Sequence, residues 1–288
     1  MAIILNENTK ILVQGMTGNQ GQFHTLQMLA YGSKIAAGVS PGKGGQDVQG
    51  VPVYNSVEEA VLHEPIDASV IFIPAKIVKD AAFEAMEAGI KTLVIITEHV
   101  PLHDAMDIMA FAHKQGVEIV GPNTFGVISP GKSKIGIMPN SIFLPGQIGV
   151  VARSGTLSYE IVSQLSKAGI GQSTVVGLGG DRIVGFSFVD ILKKFEADPE
   201  TKAVVLVGEI GGNAEETAAE YIKEMSKPVV AFLAGKSAPP GKRMGHAGAI
   251  IERGKGTFQS KVEALTAAGA QVAALPWEVS KLVAEFVQ

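Results

Sequence analysis

Short, nearly uninterrupted apolar runs recur along this chain, and they restrict its fold more than any other feature. In the first half they are Ile11-Leu12-Val13, Lys34-Ile35-Ala36-Ala37, Ser69-Val70-Ile71-Phe72-Ile73, Leu93-Val94-Ile95-Ile96 and Val117-Glu118-Ile119-Val120. None shows clean polar–apolar alternation, so each reads as a strand buried on both faces of a parallel sheet. Parallel strands need crossovers, and helical patterns fit between them at about 20–31, 76–88 and 103–115. In the second of these, Ile77, Val78, Ala81, Ala82, Ala85 and Met86 fall on one helical stripe, and Gly89 supplies a stop.

A second series begins at Ile148-Gly149-Val150-Val151. It continues through Ser173-Thr174-Val175-Val176, Ala203-Val204-Val205-Leu206-Val207 and Val229-Val230-Ala231-Phe232-Leu233, and ends more weakly at Gln271-Val272-Ala273. Helices are expected at about 156–168, 186–196, 213–225, 257–268 and 277–287. The rhythm breaks over 121–147, where Pro122, Pro130, Pro139 and Pro145 sit among several glycines. The expected α/β organisation is therefore a Rossmann-like domain over 1–121, a connecting segment over 122–147 and a flavodoxin-like doubly wound domain over 148–288.

Composition removes several classes of function. Apolar residues make up 46% of the 288 and charged residues 18%, which is core-forming material rather than a disordered chain. A net charge of -4 argues against nucleic acid as a partner. No apolar run approaches the roughly 18 residues that a membrane span needs. The opening Met1-Ala2-Ile3-Ile4-Leu5-Asn6-Glu7 lacks the basic start of a signal peptide. With no cysteine there are no disulfides, thiolate metal sites or cysteine nucleophiles, and the expected location is cytoplasmic.

Two glycine-rich turns carry the first hints of chemistry. After the first strand comes Gln14-Gly15-Met16-Thr17-Gly18-Asn19-Gln20-Gly21, opening onto a helix. Glycines let the backbone approach a phosphate, and the helix N-terminus offers free N–H groups with partial positive charge. A plain NAD site would place an acid at the end of the second strand, about 20 residues on. Here that stretch reads Ser40-Pro41-Gly42-Lys43-Gly44-Gly45, and a cation there suits a phosphorylated ribose, as in NADP or coenzyme A. The other turn, Gly126-Val127-Ile128-Ser129-Pro130-Gly131-Lys132-Ser133, fits the Walker A pattern letter for letter. No helix is expected after it, and Pro130 lacks an N–H, so it reads as a turn without nucleotide.

In the second half, Val150-Val151-Ala152-Arg153-Ser154-Gly155-Thr156-Leu157-Ser158-Tyr159-Glu160 reads as strand, turn and helix, with Ser154 or Thr156 as cap and Gly155 leaving room for an anion. Ala152 stands where a nucleophile elbow requires glycine. The stretch Pro240-Gly241-Lys242-Arg243-Met244-Gly245-His246-Ala247-Gly248 sets a histidine between glycines, just after two cations. Neutral imidazole is a good nucleophile, and Lys242, Arg243 or a helix N-terminus would steady an acceptor phosphate. Glu209, at the carboxyl end of the 203–207 run, is the acid best placed to fix the tautomer. His99, His103 and His113 do not make a metal spacing, and no metal is expected.

Taken jointly and in order, these motifs resemble the α subunit of succinate–CoA ligase (succinyl-CoA synthetase) over essentially the whole chain. Those carrying the likeness are Gln14 to Gly21, Pro41 to Gly45, Ile96-Thr97-Glu98, Gly121-Pro122-Asn123, Ser154 to Glu160, Gly208-Glu209-Ile210-Gly211-Gly212 and Gly241 to Ala249. The resemblance implies that Thr17, Gly18, Asn19, Gln20, Lys43, Ile96, Thr97 and Glu98 contact coenzyme A. It implies that His246 is phosphorylated, that Glu209 orients it, that Ser154-Gly155-Thr156 binds the phosphoryl group and that Tyr159 borders the organic acid. Where the family has Asn-Cys-Pro-Gly, this chain has Asn123-Thr124-Phe125-Gly126. The implied partner is an ATP-grasp β subunit, in an αβ or α2β2 assembly, that holds ATP or GTP with Mg2+. Succinate, coenzyme A and phosphate are the implied small-molecule substrates. Other readings are a malate– or acetate–CoA ligase subunit, a non-catalytic CoA-binding protein and an NADP-linked oxidoreductase.

Overall fold

The computed structural model describes residues 2–239, 245–251 and 256–287. Its first sheet contains β1 (Lys10–Gln14), β2 (Lys34–Val39), β3 (Asp47–Val48), β4 (Val51–Tyr54), β5 (Ala68–Ile71), β6 (Thr92–Ile95) and β7 (Glu118–Val120). Their spatial order is β3-β4-β2-β1-β5-β6-β7, and only β3 pairs antiparallel. Without β3 this is the doubly wound order 3-2-1-4-5-6 of dinucleotide-binding folds. The connecting helices are α1 (Asn19–Ala30), α2 (Val57–His63), α3 (Val78–Glu87) and α4 (Leu102–Gln115). As expected, helix α3 gives way to Gly89, whose φ of 89° is cheap only for glycine.

The second sheet is assembled from β8 (Gly126–Ser129), β9 (Ser133–Gly136), β10 (Pro145–Ala152), β11 (Gln172–Gly177), β12 (Ala203–Glu209), β13 (Val229–Ala234) and β14 (Gln271–Ala273). Its order is β14-β13-β12-β10-β11-β8-β9. The five parallel strands follow the flavodoxin-like order 2-1-3-4-5, and β8 with β9 adds an antiparallel edge. Stretch 122–147 thus lends two strands to this sheet. The Walker-like residues occupy that hairpin and its turn; no helix opens at Lys132, whose ammonium pairs with Glu200 at 2.6 Å. Helices α5 (Gly155–Lys167), α6 (Phe188–Ala197), α7 (Ala214–Ile222), α8 (Phe258–Ala267) and α9 (Val279–Ala284) cover the faces. None of the described helices is long and apolar enough to cross a membrane.

Local chemistry explains why these elements sit where they do. Strand β12 is buried along its whole length, as its unbroken apolar sequence requires. Helix α6 opens with a capping box between Ser187 and Asp190 and buries Phe188, Ile191, Leu192 and Phe195 on one stripe. That stripe presses on β10 at Gly149, where an added Cβ would stand 2.6 Å from the Phe195 ring. The apolar core runs through both sheets, joining Ile11, Val13 and Val70 to Val127, Val151 and Val204.

Polar rivets join the two halves. Ser33 Oγ donates to the Lys134 carbonyl at 2.8 Å and accepts from the Lys134 N–H at 2.9 Å, while Ser129 Oγ donates to the Leu5 carbonyl at 2.9 Å. The Lys134 side chain is fully buried, with its ammonium on the Met138 carbonyl and Asn140 Oδ1 and, among the described residues, no carboxylate partner. Burial in these neutral surroundings lowers its pKa from 10.5 to about 8. Between those values the folded protein has shed a proton that the unfolded chain still holds, so stability rises with pH across this window. Denaturant titrations from pH 7.5 to 10 are expected to show wild type gaining on Lys134→Met by up to about 1.4 kcal/mol per pH unit. Parallel pH dependences of the two proteins would contradict the buried cation.

Candidate functional site

Each sheet reverses its strand order once, and the crevice outside the carboxyl ends of the flanking strands is where such folds take ligands. In the first sheet the reversal lies between β1 and β5. The Gly15 N–H donates to the Val39 carbonyl at 2.8 Å, which ties the loop after β1 to the end of β2. Gly15 has a φ of 82°, and an added Cβ would meet the Phe72 carbonyl at 2.5 Å. At Gly21 a Cβ would lie 2.1 Å from the Gly15 carbonyl oxygen, so the helix can approach the loop only with glycine there. Gly18 takes the N-cap position of α1 with no side-chain cap, leaving the first turn's N–H groups directed outward beside exposed Asn19 and Gln20.

The other residues expected to bind coenzyme A reach the same edge from different strands. Lys43 is exposed on the loop leaving β2, where its N–H donates to the Ser40 carbonyl at 3.0 Å, and Ser40 Oγ accepts from the Thr17 N–H at 3.3 Å. Ile96, Thr97 and Glu98 follow β6 directly. Thr97 Oγ1 donates to the Ile73 carbonyl at 2.7 Å, which anchors this strand end to the one after β5, while Glu98 stays exposed. The geometry is a crevice with a glycine loop, an uncapped helix start and a nearby cation. It suits a phosphorylated adenosine carrier.

The second sheet reverses between β10 and β12. Glu209 is the last residue of β12 rather than a loop residue beyond it. Its Oε2 lies 2.8 Å from His246 Nδ1, and its Oε1 lies 3.4 Å from Arg153 Nε. The Glu209 and Arg153 side chains are only 7% and 10% exposed, whereas His246 remains 28% exposed and accessible. Hydrogen bonding to Glu209, opposed by burial, raises the imidazole pKa above 6.5. The ring lies against Gly180, where an added Cβ would come within 2.4 Å of it. The Gly248 N–H donates back to the Gly180 carbonyl at 3.3 Å, which docks the histidine loop on the loop after β11.

Arg153 leads directly into Ser154, the N-cap of α5, so the ion pair draws the helix start and the histidine toward one end of the sheet. Ser154 makes no side-chain cap, and neither it nor Thr156 satisfies the α5 N–H groups as a capping oxygen would. Tyr159 lies one turn further on, its ring edge-on to Phe125 with centroids 5.6 Å apart. Burial pushes its phenol pKa up, and the hydroxyl is buried without a partner among the described residues, a neutral donor ready for a ligand oxygen. A cavity of about 730 Å³ opens beside Arg153 and is lined also by Leu178, Asp181, Arg182, Phe186 and Ile250.

Lys242 and Arg243, expected to steady the phosphate, lie outside the described residues. Arg153 lies within a recognisable motif whose sequence gives it no role, and nothing in the sequence marks Asp181, which accepts from Asn123 Nδ2 at 3.0 Å and favours the imidazolium. Thr124 and Phe125, which replace the Cys-Pro pair, are both buried at this site. Thr124 Oγ1 donates to the Gly177 carbonyl at 2.6 Å, and the Phe125 ring would lie 3.3 Å from a Cβ at Gly155.

The profile of the CoA binding domain family matches residues 6–99, and that of the CoA-ligase family matches residues 151–271. The chain is 61% identical over 287 residues to the succinate–CoA ligase [ADP-forming] subunit alpha 2 of Archaeoglobus fulgidus, covering 100% of both. It is also 61% identical over 274 residues to the corresponding alpha subunit of Methanothermobacter thermautotrophicus, covering 95% of this chain and 93% of that one. Among solved structures, ATP citrate lyase from Methanothrix soehngenii in complex with citrate and coenzyme A superposes with a TM-score of 0.88 at 28% identity. That match covers 99% of this chain and 52% of the lyase chain. With 61% identity over essentially its whole length, the chain belongs to the succinate–CoA ligase α-subunit family.

Proposed function

We propose that this chain is the α subunit of a succinate–CoA ligase, interconverting succinyl-CoA, phosphate and a nucleoside diphosphate with succinate, coenzyme A and the triphosphate. Residues 1–121 serve coenzyme A, residues 148–288 serve the phosphoryl group, and 122–147 connect them. The observation that carries this reading is His246 held through Nδ1 by a buried, arginine-paired Glu209. That bond fixes the proton on Nδ1 and leaves the Nε2 lone pair free, as a nucleophile requires.

A phosphate oxygen attacks the succinyl thioester carbonyl, the C–S bond breaks, and coenzyme A leaves. The Nε2 of His246 then attacks phosphorus in succinyl phosphate; the P–O bond to the acyl oxygen breaks and succinate departs. Glu209 stabilises the imidazolium character that develops as the N–P bond forms. Backbone N–H groups at Ser154-Gly155-Thr156, together with Arg153, offset charge on the phosphoryl oxygens, which is most of what phosphoryl transfer asks of a protein. The Tyr159 hydroxyl meets a carboxylate oxygen of the acid. A neighbouring ATP-grasp β subunit in a cytoplasmic αβ or α2β2 assembly holds the nucleotide with Mg2+ and receives the phosphoryl group. Thr17, Gly18, Asn19, Gln20, Lys43, Ile96, Thr97 and Glu98 hold coenzyme A. The Walker-like stretch supports no nucleotide site on this chain, because it closes a hairpin.

With the co-expressed β subunit and labelled ATP, wild type is expected to take up acid-labile, base-stable label, and His246→Asn to lose both label and turnover. Appreciable turnover in that variant would overturn the covalent route. Lys43→Glu is expected to weaken coenzyme A binding about ten-fold while leaving labelling from ATP nearly unchanged. Equal damage to both steps would show that the two sites are not separate. Because Glu209 raises the imidazole pKa, labelling should climb with pH through a midpoint above 6.5, and Glu209→Gln should lower that midpoint. An unmoved midpoint in Glu209→Gln would deny the hydrogen bond its electrostatic role.

A further inference from the structure

Glu209 is gripped from behind as well as in front. Its N–H donates to Glu215 Oε1 at 3.1 Å. Glu215 lies in the first turn of α7 and its side chain is completely buried; Oε2 pairs with the equally buried ammonium of Lys261 from α8. Lys261 also meets Glu216 Oε2 at 3.2 Å. Gly208 makes room for this carboxylate, since an added Cβ would stand 2.7 Å from Glu215 Cγ and Oε1. A buried ion pair rarely outperforms apolar side chains of the same volume, because desolvation consumes its Coulombic gain. Stability alone is therefore a poor reason for this one, and its single hydrogen bond to the residue that holds the histidine supplies a better reason.

We propose that Glu215 and Lys261 are positioning residues: the Lys261–Glu215 pair fixes the Glu209 main chain at the end of β12 and so sets the angle at which Glu209 meets His246 Nδ1. The inference rests on the phosphohistidine reading above. Lys261 removes the rotational freedom of the Glu215 carboxylate, Glu215 fixes the Glu209 N–H, and the Glu209 side chain then divides between His246 and Arg153. Among the described residues, the charged groups facing the imidazole itself are Glu209, Arg153 and Asp181. Glu215 and Lys261 act only through the first of these.

The test compares two charge-neutral doubles in the complex with the β subunit. Glu215→Gln with Lys261→Met keeps an acceptor for the Glu209 N–H, whereas Glu215→Leu with Lys261→Met removes it. The glutamine double, which keeps the acceptor but loses the ammonium that fixes it, is expected to phosphorylate His246 about three-fold more slowly than wild type, and the leucine double to lose about ten-fold in kcat with the KM for coenzyme A unchanged. The leucine double should also move the pH midpoint of labelling down toward 6.5, the ordinary histidine value. Glu215→Asp keeps the charge but withdraws the acceptor by one methylene, and is expected to show the same loss of rate, which guards against misfolding of the leucine double. Equal labelling in the two doubles, or a leucine double with the wild-type pH midpoint, would overturn the inference. Absence of label from wild type would overturn the phosphohistidine reading itself, and this inference with it.

Discussion

A carboxylate at the carboxyl end of a buried strand, shared between an arginine and a histidine, organises the second half of this molecule. Glu209 has little freedom: β12 is buried on both faces, and its last side chain emerges where the sheet reverses its order. One oxygen faces Arg153 and the other faces His246. Removing water from such a cluster strengthens each interaction and raises the cost of leaving any member unpaired. A partly exposed ring is thereby held to one tautomer.

The two halves solve a similar problem with related topology. Each is a doubly wound sheet whose reversal opens a crevice at a helix start, and in both the helix start goes without a side-chain cap. The first crevice has an exposed lysine and a glycine loop, suited to a large mobile carrier. The second has a buried arginine and a fixed histidine, suited to a small, highly charged group. The difference follows from surroundings rather than from strand order, in keeping with the rule that folds host sites without dictating them.

The parallel strands were legible because burial on both faces demands continuous apolar runs, which the eye finds without structural help. The edge elements were not. Strand β3 has two residues and β4 has four, with Pro52 inside it, while the β8–β9 hairpin lies among prolines and glycines that read as a break. The rejected Walker match was settled by chemistry visible in the letters, since Pro130 and the absence of a following helix both argue against a phosphate loop. His246 and Glu209 were found separately, by glycine density and by position at a strand end. Arg153 escaped notice because nothing in a linear string says that residue 153, just past the end of β10, and residue 209, at the end of β12, lie at the ends of adjacent strands; only the β10–β12 pairing does. The Glu215–Lys261 pair was invisible for the same reason, as its members fall on different helices and look like ordinary surface charges.

The most direct measurement asks which nitrogen carries the phosphorus. The complex would be prepared with 15N-labelled histidine, phosphorylated, and read by phosphorus–nitrogen coupling in an NMR spectrum recorded under alkaline conditions that preserve the bond. With Nδ1 committed to Glu209 at 2.8 Å, phosphorus should appear on Nε2 of His246 alone. Phosphorus on Nδ1, or on any other residue, would contradict the account at its root.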